Sequence, residues 1–237
     1  MRHRLRTVLG VGGEVAVTLA VLLLLYLVWL FGWTTVVARA EADATVEDFL
    51  AGLTPATSTA VPLRTDEPPA VEPVAEGETL GVLRVPRWDG LTSNAMPIVE
   101  GTTAAVLDRA AAGHYVGTQL FGEVGNVGLA GHRRTYGNSF RYVDRLQVGD
   151  QLIIETATTW YVYEVVSSEV VDPSDSDVVA PVPHHREQRA TERLLTLTTC
   201  HSLTAGEYGN DHRWVTYAVL VGWLDRADGT PEQLVDD

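Results

Sequence analysis

The chain has 237 residues and a formal net charge of −14, from 31 acidic and 17 basic side chains, and every basic one is arginine. An excess of negative charge argues against nucleic acid as the main partner. The single cysteine, Cys200, excludes an intrachain disulfide framework and leaves a buried thiol, a reactive thiol or an intermolecular link.

The charge is uneven along the chain. Residues 38–79 hold nine acids against two arginines and residues 227–237 hold four acids, whereas residues 80–226 hold 17 acids and 12 arginines. Acidity therefore belongs mostly to the flanks, as in solvated linkers and tails.

Residues 1–14 include Arg2, Arg4 and Arg6, the arginine excess that keeps an N-terminus cytoplasmic. Residues 15–37 are 23 uncharged, mostly apolar residues. At helical rise they span about 35 Å, against about 30 Å of bilayer hydrocarbon. They predict a transmembrane signal anchor with the rest of the chain outside the cell. A cleaved signal peptide is the competing reading, since Ala38-Arg39-Ala40 is a small-x-small pattern. The apolar run is longer than the roughly 7–15 residues of a secretory core, so the anchor is preferred.

Residues 38–79 read as an acidic Pro/Ala/Thr-rich linker, with a short helix over 41–53 and Pro55, Pro62, Pro68, Pro69 and Pro73 favouring an extended spacer beyond it. Residues 80–226 are long enough for one core, and 227–237 form an acidic tail. Val-, Tyr-, Trp- and Thr-rich runs predict strands at 80–86, 95–101, 126–132, 151–156, 160–171, 193–200 and 213–223. Weak helical patches fall at 103–112 and 139–146. The fold class is therefore mainly β, a barrel or sandwich with short helices.

Cys200 ends the run LLTLTTC. Thiolate chemistry on a carbonyl needs a nucleophile, a group to handle protons and donors for the oxyanion. His201 adjoins Cys200, but neighbours on a strand point to opposite faces, so it is a poor partner. His132, at a strand end beside glycines, can face a cleft. Composition alone does not choose among His132, His114 and His212.

Four segments resemble the sortase family of cysteine transpeptidases, and in particular its actinobacterial class E, housekeeping-type members. TLTTC (196–200) is similar to the sortase TLxTC strand, AGHRRTYGNSF (130–140) to its histidine motif, and LQVGD (146–150) to the Gly-Asp opening its next strand. Arg213 stands 13 residues after Cys200, opening the final long strand as the sortase arginine does. The resemblance spans roughly residues 80–224. It implies a sortase-like closed β-barrel of about eight strands, with Cys200 as nucleophile, His132 as general acid and Arg213 steadying the oxyanion or the substrate backbone. It also implies substrate-binding roles for Thr199, for Thr198 on the face of Cys200, and for Val178, Val179 and Val182 in the apolar part of the 171–193 loop. Cysteine and histidine in sortases are mostly neutral, with a small fraction in the active thiolate–imidazolium form.

The implied partners are secreted proteins bearing a C-terminal sorting signal of Leu-Ala-x-Thr-Gly or Leu-Pro-x-Thr-Gly type, a peptidoglycan-precursor amine and the cell membrane, with no nucleic acid. No cofactor or metal is expected. Calcium at Asp172, Asp175 and Asp177 is disfavoured, because the glycine and closing glutamate of an EF-hand loop are missing. The adjacent His184 and His185 have no third clustered ligand and read as a weak metal site. A hydrolytic cysteine peptidase and a catalytically silent surface-binding module on the same scaffold are the alternatives.

Overall fold

A computed structural model describes residues 2–55, 59–203 and 210–234. Helix α1 (Arg2–Val28) runs through a π turn (Trp29–Trp33) into α2 (Thr34–Ala51). Its apolar side chains, among them Leu22, Leu23, Leu24 and Trp33, are exposed from residue 10 onward until Ala38, where burial against the domain begins. One continuous helix, Gly10–Ala51, is thus long and apolar enough to cross a membrane by length and composition. The helical segment reaches further than the 41–53 patch expected, because Ala38, Ala42 and Val46, at a spacing of four, supply a small-residue face that packs on the barrel.

The strands are β1 (Ala60–Val61), β2 (Thr79–Arg84), β3 (Ala95–Glu100), β4 (Ala112–His114), β5 (Gly125–Ala130), β6 (Gln151–Glu155), β7 (Thr159–Val171), β8 (Arg193–His201), β9 (His212–Asp225) and β10 (Thr230–Pro231). Eight of them close a barrel in the order β2-β3-β4-β5-β8-β9-β7-β6. All seven expected strands are present within one or two residues at each end. Strand β4 lies in the AGH of 112–114, too short to show alternation in sequence. The helical patches shrink to α3 (Ala104–Leu107) and a 3-10 turn at Val143–Arg145.

The barrel is filled by alternate side chains of its strands. Leu83, Ile98, Val127, Leu129, Leu152, Ile154, Tyr161, Tyr163, Leu195 and Leu197 are essentially inaccessible and form one cluster with Trp88, Phe121 and Phe140. Burying a single Leu or Ile contributes about 1.5–3 kcal/mol, so this cluster makes the barrel a rigid frame for its rim. One charged network is buried in the barrel wall: Glu155 accepts from Arg84 at 2.7 Å and from Arg226 at 3.0 Å.

The linker and tail are tied to the barrel rather than free. The backbone of Arg64 exchanges hydrogen bonds with Trp223 at 2.8 and 2.9 Å, Val71 N–H donates to Phe121 O at 3.0 Å, and Tyr161 OH donates to Pro69 O at 2.7 Å. Strand β10 pairs in parallel with β1. Residues 62–75 carry no helix and close in a turn at Ala75–Glu78, and Arg193 and Arg64 draw the acids Glu67 and Asp66 onto the surface.

Candidate functional site

Strand β8 alternates two fates. Leu195 and Leu197 point into the core, so Thr196, Thr198 and Cys200 occupy the outer face. Directly opposite Cys200 on antiparallel β9 is Arg213. Cross-strand partners share a face with Cα atoms about 4.5–5.5 Å apart, so the two side chains leave the sheet on the same face. On the other side, β5 runs parallel to β8 with Ala130 level with Thr198, and Gly131 N–H donates to Thr198 O at 3.2 Å. Two residues beyond that pair on each strand come His132 and Cys200. Cys200 on β8, Arg213 on β9 and His132, two residues past the end of β5, therefore lie at one rim of the barrel. All three are half-buried.

The loop holding His132 is tightly built. A Cβ at Gly131 would stand 2.7 Å from the Phe140 ring and 2.9 Å from Ser139 Oγ, so glycine is required there. Phe140 N–H donates back to His132 O at 2.9 Å. The imidazole lies against Tyr136, with ring centroids 5.6 Å apart, and its Nε2 is 2.8 Å from Asp108 Oδ1. Gly137, at φ +89°, sits under Ala110 and Ala38, so this loop touches α2 directly. Arg39 of α2 donates to Gly137 O at 3.0 Å.

The other expected residues divide. Thr198 lies on the groove face beside Cys200, and its hydroxyl is 2.9 Å from Tyr115 OH. Thr199 alternates inward and is buried; its hydroxyl donates to Gly131 O at 2.7 Å, tying β8 to the residue before His132. The structure thus gives Thr199 a strut's place, not a groove contact, because the pleat that exposes Cys200 must bury its neighbour. Val178 is likewise buried, packed on Val171 and Val215. Val179 is half-buried above Gly128 beside Tyr115, where an added Cβ would meet both. Val182 is half-buried further along the loop.

Asn126 joins these parts, and nothing in its short polar side chain announced it. Fully buried on the outer face of β5, it donates to Val178 O at 3.2 Å and Ala180 O at 3.0 Å and accepts from Thr196 Oγ1 at 2.7 Å. The loop between β7 and β8 is thereby fastened over β5 and β8, on the outer face that also carries Cys200. Its far end is held by Glu169, which accepts from Tyr217 OH and faces His184 Nε2, both at 2.6 Å. The Glu169 hydrogen bond holds His184 above the usual imidazole range against its partial burial.

His201 faces away from the thiol. It accepts from Arg133 Nη1 at 3.0 Å and abuts Trp214. Burial first, then the Arg133 charge, pushes its proton affinity below the ordinary value. Arg133 is itself buried and paired with Asp144 at 3.0 Å, a barrel plug rather than a groove residue. His114 is buried, with its ring nitrogens within hydrogen-bond distance of Glu100, Gln119 O and Thr118. Asp172 accepts from Ser174, Asp175 from Asp177 N–H, and Asp177 pairs with Arg186. Among the described residues no group of three or more His, Cys, Asp or Glu is arranged to hold a metal ion.

A closed eight-stranded barrel with Cys200 and Arg213 on paired strands and His132 just past the end of the strand beside them defines a cysteine-centred site of the kind the four sequence segments resemble. Residues 83–221 match the family described as the sortase domain, and the chain belongs to the sortase family. Sortase SrtE1 of Streptomyces coelicolor is 32% identical over 94% of this chain, and the chain spans 60% of that relative's length. The solved SrtA sortase from Actinomyces oris has 56% sequence identity and a TM-score of 0.72, covering 74% of this chain and 98% of its own. The structure of sortase E1 from Streptomyces coelicolor, with a tripeptide in the active site, has 34% identity and a TM-score of 0.59, covering 68% of this chain and 100% of its own.

Proposed function

We propose that the protein is a membrane-anchored cysteine transpeptidase. It cleaves a C-terminal sorting signal of Leu-Ala-x-Thr-Gly or Leu-Pro-x-Thr-Gly type between Thr and Gly, and transfers the acyl part to a cell-wall amine. The observation that carries the reading is the register Cys200↔Arg213 with His132 two residues past the end of the strand on the other side. The class E resemblance implies the Leu-Ala form.

The Cys200 thiol gives its proton to His132 and the thiolate attacks the threonine carbonyl. The C–S bond forms while electrons move onto the carbonyl oxygen, where Arg213, with its permanent charge and fixed fork of donors, stabilises them. Collapse breaks the C–N bond, and the imidazolium protonates the departing glycine amine. The incoming amine gives a proton back to His132 as it attacks the thioester, and Cys200 leaves as thiolate. Arg213 already donates to the carbonyls of Asn210 and His212 at 2.9 Å, which aims its remaining N–H groups.

The apolar helix would place the N-terminal arginines in the cytoplasm and the barrel outside. Because α2 enters the domain beside the His132 loop, this topology holds the site near the bilayer surface. That suits a client still anchored by its own C-terminal segment and an acceptor carried on lipid.

Product analysis tests the proposal. Full-length protein in detergent is given a signal peptide with and without an added glycine-type amine. Amide product that grows with amine concentration is expected. Free acid as the sole product at every amine concentration would make the protein a hydrolase.

A further inference from the structure

His132 carries one strong contact that the reaction above does not use. Asp108 caps the C-terminus of α3, its N–H donating to Ala104 O at 2.9 Å, and presents Oδ1 2.8 Å from His132 Nε2. The two residues are 24 apart in sequence. The turn that carries Asp108 is built, not loose. Arg109 is ion-paired at 2.7 Å with Glu41 of α2, and Ala110, at φ +55°, packs against Ala38 and Ala42. Tyr136 closes the other side of the imidazole. The anchor helix therefore backs both segments that touch the ring.

We propose that Asp108 is a positioning residue for His132, acting through the ring and never on the substrate. Its carboxylate accepts the Nε2–H. That fixes the ring plane and leaves Nδ1 to take the thiol proton and return it to the leaving amine. It also supplies a compensating negative charge when the ring becomes imidazolium. The proton passes only among thiol, ring and amine, so the proton balance of the reaction is unchanged. The inference rests on the transpeptidase reading for its kinetic consequence, but the hydrogen bond itself does not depend on turnover.

The other charges at this corner are Cys200 on β8, Arg213 on β9, Arg109 beside Asp108, Glu41 on α2 and Arg133 in the histidine's own loop. Arg133 is turned away and neutralised by Asp144. Asp108 is the carboxylate in hydrogen-bond contact with the ring. Both partners are partly exposed, 26% for the His132 side chain and 36% for Asp108, so solvent screening limits the effect to about tenfold.

The test is kcat and KM for full-length wild type, Asp108→Asn and Asp108→Glu in detergent. Asp108→Asn is expected to lose about tenfold in kcat with KM little changed, and Asp108→Glu should recover part of the loss. An unchanged kcat, or a loss carried by KM alone, overturns the proposal. Nitrogen-15 imidazole spectra read it independently of turnover. The neutral His132 ring should be the Nε2–H tautomer in wild type, and Asp108→Asn should weaken that preference. A neutral ring in the Nδ1–H form, or a tautomer balance unchanged in Asp108→Asn, refutes the inference even in a protein inactive on every peptide tried.

Discussion

Asn126→Ala isolates the fastening of the loop between β7 and β8. The substitution removes the donor to Val178 O and Ala180 O and the acceptor for Thr196 Oγ1 at a fully buried position. At a net value of about 1 kcal/mol per hydrogen bond, the fastened loop loses about 2 kcal/mol relative to the open one, a shift of about 30-fold. The unpaired Thr196 hydroxyl adds about 1 kcal/mol or more to the loss of global stability. Amide exchange separates the two. Ala180 and His184 N–H both donate to Asp177 O at 3.0 Å inside the loop. Their protection should fall by about 30-fold, while amides of β5 and β8 fall only as global stability does. Peptide turnover should show KM rising more than kcat falls. Unchanged protection at Ala180 and His184, with only global destabilisation, would refute the view that Asn126 holds the groove wall.

Glu155→Gln leaves the buried Arg226 guanidinium without its counter-charge and should cost about 3–5 kcal/mol in urea unfolding; a loss below about 1 kcal/mol would contradict the network's role. His184→Gln tests the other end of the loop. The folded protein holds His184 above its ordinary value, so its contribution is fully present below about pH 6.5 and is lost as pH rises through the raised value. Wild type should therefore be the more stable below about pH 6 and should lose that advantage at alkaline pH, measured by thermal unfolding across pH. Gly137→Ala places a Cβ 2.2 Å from Ala110 Cβ at a positive φ, and should lower both Tm and kcat/KM by displacing the Tyr136–His132 stack; normal kcat/KM would detach that loop from the site.

The frame was legible because a strand's period of two writes itself into Val-, Thr- and aromatic-rich runs. The barrel rim was legible because TLTTC, GHRRTYGNSF and Arg213 fall at strand ends. What stayed hidden depends on long-range placement. Thr199 is adjacent to Cys200 in every sequence argument, yet the same pleat that exposes the thiol buries it. Asp108, in a short patch read only as helix, meets His132 because β4 and β5 are antiparallel neighbours and the turn before β4 folds back over their rim. Asn126 sits in an apolar strand where one polar residue signals little until a loop from 52 residues away lies on it. The linker's prolines say nothing of its attachment to Trp223 and Phe121, which is a matter of surface fit.

The most direct measurement of the central claim is the intact mass of the full-length protein during turnover of a signal peptide. A transient adduct equal to the peptide acyl group ending at threonine should appear, map to Cys200, disappear on adding amine, and be absent in Cys200→Ala. Peptide cleavage that continues in Cys200→Ala, or an adduct on any other side chain, would contradict the account.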